Sequence, residues 1–133
     1  MGSTNIISIE TANRMLALVG PIVVDIQDKW QVAVCQLSKL QIVFSPDADG
    51  TNPLDVVING MWKATKSINK RLDELEQLGC SIEDIEQGIV DFPSIVDNEK
   101  VMLCWKLGEE EILHYHKCGE NVRHRLLIKQ VLE

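Results

Sequence analysis

From Ala12 to Phe44 an apolar or small residue returns at alternating steps of four and three: Ala12, Leu16, Val19, Val23, Ile26, Trp30, Ala33, Leu37, Leu40 and Phe44. Only a helix puts residues so spaced on one stripe. A stripe held over more than four heptads is the pattern of a helix that packs lengthwise on another. Leu54, Ile58, Met61, Thr65, Ile68, Leu72 and Leu75 repeat the same spacing. Between the two seams Ser45-Pro46-Asp47-Ala48-Asp49-Gly50-Thr51 reads as a loop on composition alone. Its DxDG is similar to a calcium loop, but reading Ser45 as the first position puts Val56 where the bidentate Glu must stand, so no calcium site is expected. Two seams and a short loop predict an antiparallel, coiled-coil-like helical hairpin over residues 8–79. Its arms would be about 50 Å and 38 Å long at 1.5 Å per residue.

The ends carry their own signals. Ser8 can cap the first helix by accepting from the amide of Glu10 or Thr11. Gly20-Pro21 interrupts the helix but not the seam, which predicts a kink near Ala17–Pro21 within one helix. Asn52 caps the second helix, Pro53 takes its first turn, and Gly79 stops it in the left-handed region. Such a hairpin has more apolar surface than one partner helix can cover. A sheet, a second protomer, or both must cover the rest.

Residues 88–116 change period from helical to alternating, which predicts a small antiparallel meander. Asp97-Asn98 is a two-residue hairpin turn, because both residues tolerate positive φ. Closing there pairs Val96 with Glu99 and Asp91 with Cys104. A three-residue turn at Gly108-Glu109-Glu110 pairs Cys104 with His114 and Met102 with His116. That register puts Val90, Phe92, Leu103, Trp105, Leu113 and Tyr115 against the helices. It leaves Ile89, Asp91, Met102, Cys104, His114 and His116 on the other face. A two-residue turn at Gly108-Glu109 would move both histidines to the Trp105 side, and the longer turn is preferred because it avoids burying two imidazoles. Residues 121–133 stay ambiguous, since Leu126 and Ile128 alternate while Leu127 and Val131 suit a helix. The whole reads as one α+β domain, residues 1–133, with a hairpin over 8–79 and a three- to four-stranded meander and C-terminal segment over 80–133.

Charge narrows the function classes. The net charge of −7 argues against a duplex-binding protein, which must neutralise phosphates with clustered cations. Only the end runs the other way, with Lys117, Arg123, Arg125 and Lys129 against Glu120. No apolar run approaches a membrane span. Four cysteines (Cys35, Cys80, Cys104, Cys118) without a CxxC pair, and no secretory start, predict free thiols in the cytoplasm.

The meander also carries a family pattern. Gly88-Ile89-Val90-Asp91-Phe92-Pro93, Leu103-Cys104-Trp105, Gly108-Glu109, Tyr115-His116 and Arg125, nine residues past His116, together resemble the proteins grouped as domain of unknown function 2203. Ile9–Val23 is similar to that family's opening helix. The sequence departs from the pattern at Asn121, Val122 and His124. The resemblance implies this fold and these residues, and no activity, cofactor or substrate.

Three chemistries follow from the residues. Opposed residues on a sheet have Cβ atoms about 5 Å apart, so Asp91, Cys104 and His114, with His116 reaching diagonally, form a candidate site for a zinc-like divalent metal. A nucleophilic Cys104 with His114 as base lacks oxyanion donors, because mid-strand amides are committed to neighbours. Asp91, Cys104, Glu109, His116 and Arg125 are the candidate ligand site. There Arg125 binds a small anion in a fork or bridges structurally to Asp91 or Glu109. The leading reading is a cytoplasmic ligand- or metal-binding domain. The alternative is a structural or interaction module that homodimerises through its helical hairpin without catalytic activity.

Overall fold

The computed structural model describes residues 6–43, 53–118 and 125–128. The first helix, α1 (Ile9–Val43), and the second, α2 (Pro53–Leu78), pack against each other, and a five-stranded antiparallel sheet follows in the order β1-β2-β3-β4-β5. The strands are β1 (Ser81–Asp84), β2 (Ile89–Val96), β3 (Glu99–Lys106), β4 (His114–Lys117) and β5 (Leu126–Leu127). The loop 45–51, the Asn52 cap, the turn at Asn121 and the cations Arg123 and Lys129 lie outside the described residues.

Helix α1 starts where its cap predicts. Ser8 Oγ accepts from the Thr11 amide at 3.2 Å, and the helix runs through Pro21 without a break. Helix α2 ends at Gly79, whose φ of 94° lets the chain reverse. Two contacts set the helix pairing: Arg71 Nε donates to Asp25 at 2.8 Å, and a Cβ on Gly60 would lie 2.9 Å from Gln36. Eleven residues separate these contacts on each helix, so the register is uniform along the pair.

The seam of α2 is displaced from the expected register. Val57, Ala64, Ile68 and Leu75 are buried, with Met61 and Leu72 half-buried between them. Ile58 is 52% exposed and Thr65 is exposed as well. Val57, Met61, Ala64, Ile68, Arg71 and Leu75 keep the alternating steps of four and three, so the heptad holds in a register beside that of Ile58, Thr65 and Leu72. On α1 the seam stays buried or half-buried through Ala33, and Leu37 is then 55% exposed.

Asp97 (φ 51°) and Asn98 (φ 63°) form the predicted two-residue turn, and β2 pairs β3 as expected, with Asp91 opposite Cys104 and Val96 opposite Glu99. The expected β3–β4 register also holds, with Cys104 opposite His114 and Met102 opposite His116. The turn itself differs. The β3–β4 pairing ends at Cys104 opposite His114, and the connection between the strands is 107–113 and not three residues. Competing bonds hold it open: Trp105 Nε1 donates to Glu109 O at 2.8 Å, and the Ile112 amide donates to Asn13 Oδ1 of α1 at 2.7 Å. Ile112 therefore enters the core, and Leu113, expected against the helices, is 37% exposed.

The sheet has five strands where three or four were expected. β1 pairs β2 across a bulge between Ile82 and Asp84, and Leu126–Leu127 of the ambiguous end pair with β4 as β5. Gly88 makes the β1–β2 turn feasible. Its φ is 71°, and an added Cβ would lie 2.8 Å from Leu107 Cβ. The helix side of the sheet contributes Val90, Phe92, Leu103, Trp105 and Tyr115 to one core with Val19, Val23 and Ile26 of α1 and Ile68 and Leu75 of α2. Each such side chain contributes about 1.5–3 kcal/mol when buried.

Candidate functional site

The sheet face away from this core was expected to be open. It is closed: Asp91 is 2% exposed, Cys104 0% and His116 4%. A buried carboxylate must find partners or a proton. Asp91 on β2 reaches diagonally over β3 to β4, where its Oδ2 lies 2.8 Å from His116 Nε2. The other ring nitrogen, Nδ1, lies 3.1 Å from the carbonyl of Lys117. Both nitrogens therefore face oxygens, and the carbonyl can only accept. Nδ1 must carry a hydrogen, and a second proton must sit between Nε2 and Oδ2. Burial raises the Asp91 pKa above the ordinary carboxylate range, and the His116 hydrogen bond only partly offsets this. The pair shares one proton between Nε2 and Oδ2 and carries no net charge, as a dry interior favours.

Beside this pair sits Cys104, with Asp91 on one flank and Arg125 on the other. Burial pushes its thiol up to about 11. At neutral pH Cys104 is a protonated thiol and not a nucleophile. The histidine opposite Cys104 is His114, as expected, while His116 is engaged by Asp91.

Glu109 holds a second, more exposed group. Its Oε1 accepts from the Lys106 amide at 2.7 Å and from Arg125 Nη2 at 2.9 Å. Arg125 also approaches Cys104 O at 3.4 Å, so it ties the chain before β5 back to β3 and to the connection that follows it. His114 Nδ1 stands 3.6 Å from Glu109 Oε2, beyond hydrogen-bond length. Burial first, and then the Arg125 charge, lower the His114 pKa, so the ring is neutral at pH 7 and the approach is no ion pair. Asp91 Oδ1, His114 Nδ1 and Arg125 Nε are buried atoms without hydrogen-bond partners, and they all flank Cys104.

The candidate residues are therefore brought together, but as two closed groups, Asp91–His116 and Glu109–Arg125, with Cys104 and His114 between them. Among the described residues no three of His, Cys, Asp and Glu are arranged to hold a metal ion. The expected set of Asp91, Cys104, His114 and His116 is not gathered on one point. The reason is local: both nitrogens of His116 are engaged, and the Cys104 thiol keeps its proton.

Sequence reasoning missed the residues that join the helices to the sheet. Asn13 takes the Ile112 amide, a side chain at Gly20 would touch the Trp105 ring, and Gln27 donates to the carbonyls of Ile85 at 3.0 Å and Glu86 at 3.2 Å. These three positions are seven apart, so one line along α1 faces the sheet. That spacing was the available signal.

A two-helix hairpin carrying a five-stranded antiparallel sheet, with a buried acid–imidazole pair on the sheet's far face, defines the class as an α+β domain. A family model described as "Uncharacterized conserved protein (DUF2203)" matches residues 5–128, and the chain belongs to that family. No curated protein and no solved structure matches this chain. Among the described residues no helix is long and apolar enough to cross a membrane.

Proposed function

We propose that the chain is an assembly module that pairs with a second copy through the far half of its helical hairpin, and that the sheet cluster is a structural lock. One observation carries this reading. The sheet-facing side of the hairpin continues past the end of the sheet with its apolar character intact. Val34, next on the Asn13–Gly20–Gln27 line, is 41% exposed. Leu37, two heptads beyond buried Val23, is 55% exposed, and Ile58, two heptads before Leu72, is 52% exposed. Trp62, one turn on from Ile58, is 67% exposed. Scattered exposed apolar residues such as Leu18 and Val24 are ordinary, but a continuous face is not.

The face is about 20 Å long and about 20 Å wide. Two copies would bury somewhat over 800 Å² in total by this outline, below the range of stable interfaces and in that of weak, transient ones. The dimer is accordingly reversible in the micromolar range. Four helices around one apolar seam are a stable arrangement, and a self-complementary face suits two-fold symmetry.

The ligand readings draw less support. Arg125 already has Glu109, and an added anion would meet the Glu109 and Asp91 carboxyls. Four free cysteines favour a reducing compartment, in keeping with a cytoplasmic protein.

Sedimentation velocity across the micromolar range tests the proposal. The wild type moves from monomer to dimer with concentration. Leu37→Asp stays monomeric, with an unchanged urea midpoint because the side chain is not in the core. A wild type that remains monomeric, or a Leu37→Asp variant that dimerises equally well, overturns it.

A further inference from the structure

We infer that the sheet cluster binds one water molecule over Cys104, which joins the Asp91–His116 pair to the Glu109–Arg125 pair; this rests on the structural-lock reading of the cluster given above. Three atoms carry the inference. Asp91 Oδ1, His114 Nδ1 and Arg125 Nε are buried and have no hydrogen-bond partner among the described residues. A buried polar atom left unpaired is costly, and folded chains pair nearly all of them. The fold sets these three around one point. Asp91 and His114 are the cross-strand neighbours of Cys104 on either side, and Arg125 reaches the Cys104 carbonyl from beside β5. Strands stand about 4.8 Å apart, so the Asp91 and His114 backbones are about 10 Å apart. The Asp91 carboxyl closes part of that distance by leaning over β3 to His116 on β4. On the other flank, Arg125 Nη2 and His114 Nδ1 approach the two oxygens of one Glu109 carboxylate, at 2.9 Å and 3.6 Å. A water with bonds of about 2.8 Å spans up to about 5.6 Å between its partners, so it reaches where a direct bond does not.

The three atoms match a water in number and kind. Arg125 Nε can only donate, so it gives its hydrogen to the water oxygen. The proton shared with His116 lies at Oδ2, so Asp91 Oδ1 accepts. The neutral His114 ring accepts at Nδ1 and carries its hydrogen on Nε2. One bond accepted and two donated make the three that a buried water usually forms. The Cys104 thiol also lies against Asp91, but a thiol is a weak donor and a carboxyl oxygen has two lone pairs. An ion fits less well. The Asp91–His116 pair carries no net charge, Glu109 and Arg125 cancel, and His114 is neutral, so an ion of either sign would be a buried charge without a counter-charge. Cys104 and Asp91 are 0% and 2% exposed, which closes the site to larger solutes.

A crystal structure of the full chain at a resolution that places ordered waters tests this, with the side-chain nitrogen NMR spectrum of His114 as a second reading. The expected result is one water within about 3.2 Å of all three atoms, and an Nδ1 that carries no hydrogen at pH 7. No water in that position, or a hydrogen on Nδ1, overturns the inference. Arg125→Lys keeps a cation for Glu109 but has no Nε, and the water is expected to lose its place; a water that stays there overturns the role given to Nε. An Arg125→Ala urea midpoint equal to that of the wild type overturns the lock itself, whether or not the water is seen.

Discussion

Replacing Asp91 by Asn separates a shared proton from an ion pair at the centre of the sheet. Asp91 and His116 are 2% and 4% exposed and 2.8 Å apart. If the carboxyl donates its proton to a neutral ring, an amide can take its place. The Asn Nδ2–H would donate to Nε2, while Nδ1 keeps the Lys117 carbonyl. No charge is stranded, so Asp91→Asn costs within about 1 kcal/mol. If Asp91 were instead the anion of a tight buried ion pair, neutralising it would leave an uncompensated imidazolium and cost about 3–5 kcal/mol. The sign of the pH dependence adds a second reading. Burial, with Glu83 adding to it and His116 and Cys104 opposing it, raises the folded pKa of Asp91. Its favourable contribution is therefore full below the unfolded value of about 3.9 and is lost as pH rises through the raised folded value. Asp91→Asn has no such loss. Urea unfolding followed by tryptophan fluorescence at several pH values between 4 and 7 should find the variant gaining on the wild type as pH rises. A wild type that gains on the variant over that range would mean a lowered Asp91 pKa and would refute the shared-proton description.

Gly88→Ala destabilises by about 2 kcal/mol or more, since the position needs positive φ and a Cβ there meets Leu107 Cβ at 2.8 Å; the urea midpoint checks it, and an unchanged midpoint refutes the steric reading. Thiol titration of the native protein counts two fast cysteines, the exposed Cys35 and Cys118. Cys80 and Cys104, both buried and both pushed up to about 11, react only after unfolding, and rapid native alkylation of Cys104 would contradict its assignment as an inert thiol.

The two helices, their antiparallel pairing, the Ser8 and Gly79 ends, the Asp97-Asn98 turn and the β2–β3–β4 register were all legible in the residue order. These features are local. A heptad, a cap, a turn with positive φ and a period-two alternation each depend on residues close in the chain, and one turn fixes a strand register over its whole length. The family pattern around Asp91, Cys104 and His116 was legible for the same reason.

What the order of residues left open depends on contacts made across the chain. The connection 107–113 is long because Ile112 finds Asn13, ninety-nine residues away, and no local preference encodes that bond. β1 is a short strand without a strong alternating pattern, and it exists because the β2 edge offers it partners. The stripe on α2 follows Val57 and Ala64 because a helix packs where its partner is, and the partner's position selects which heptad register is buried. Above all, the sequence by itself brought Asp91, Cys104, His114 and His116 to one face, while only the tertiary structure decided that this face is closed. Burial sets which of these groups keeps its proton, and burial is a property of the assembled chain. The same holds for Leu37 and Ile58: their spacing marks them as seam residues, but only the packing of the assembled chain shows that both are about half exposed.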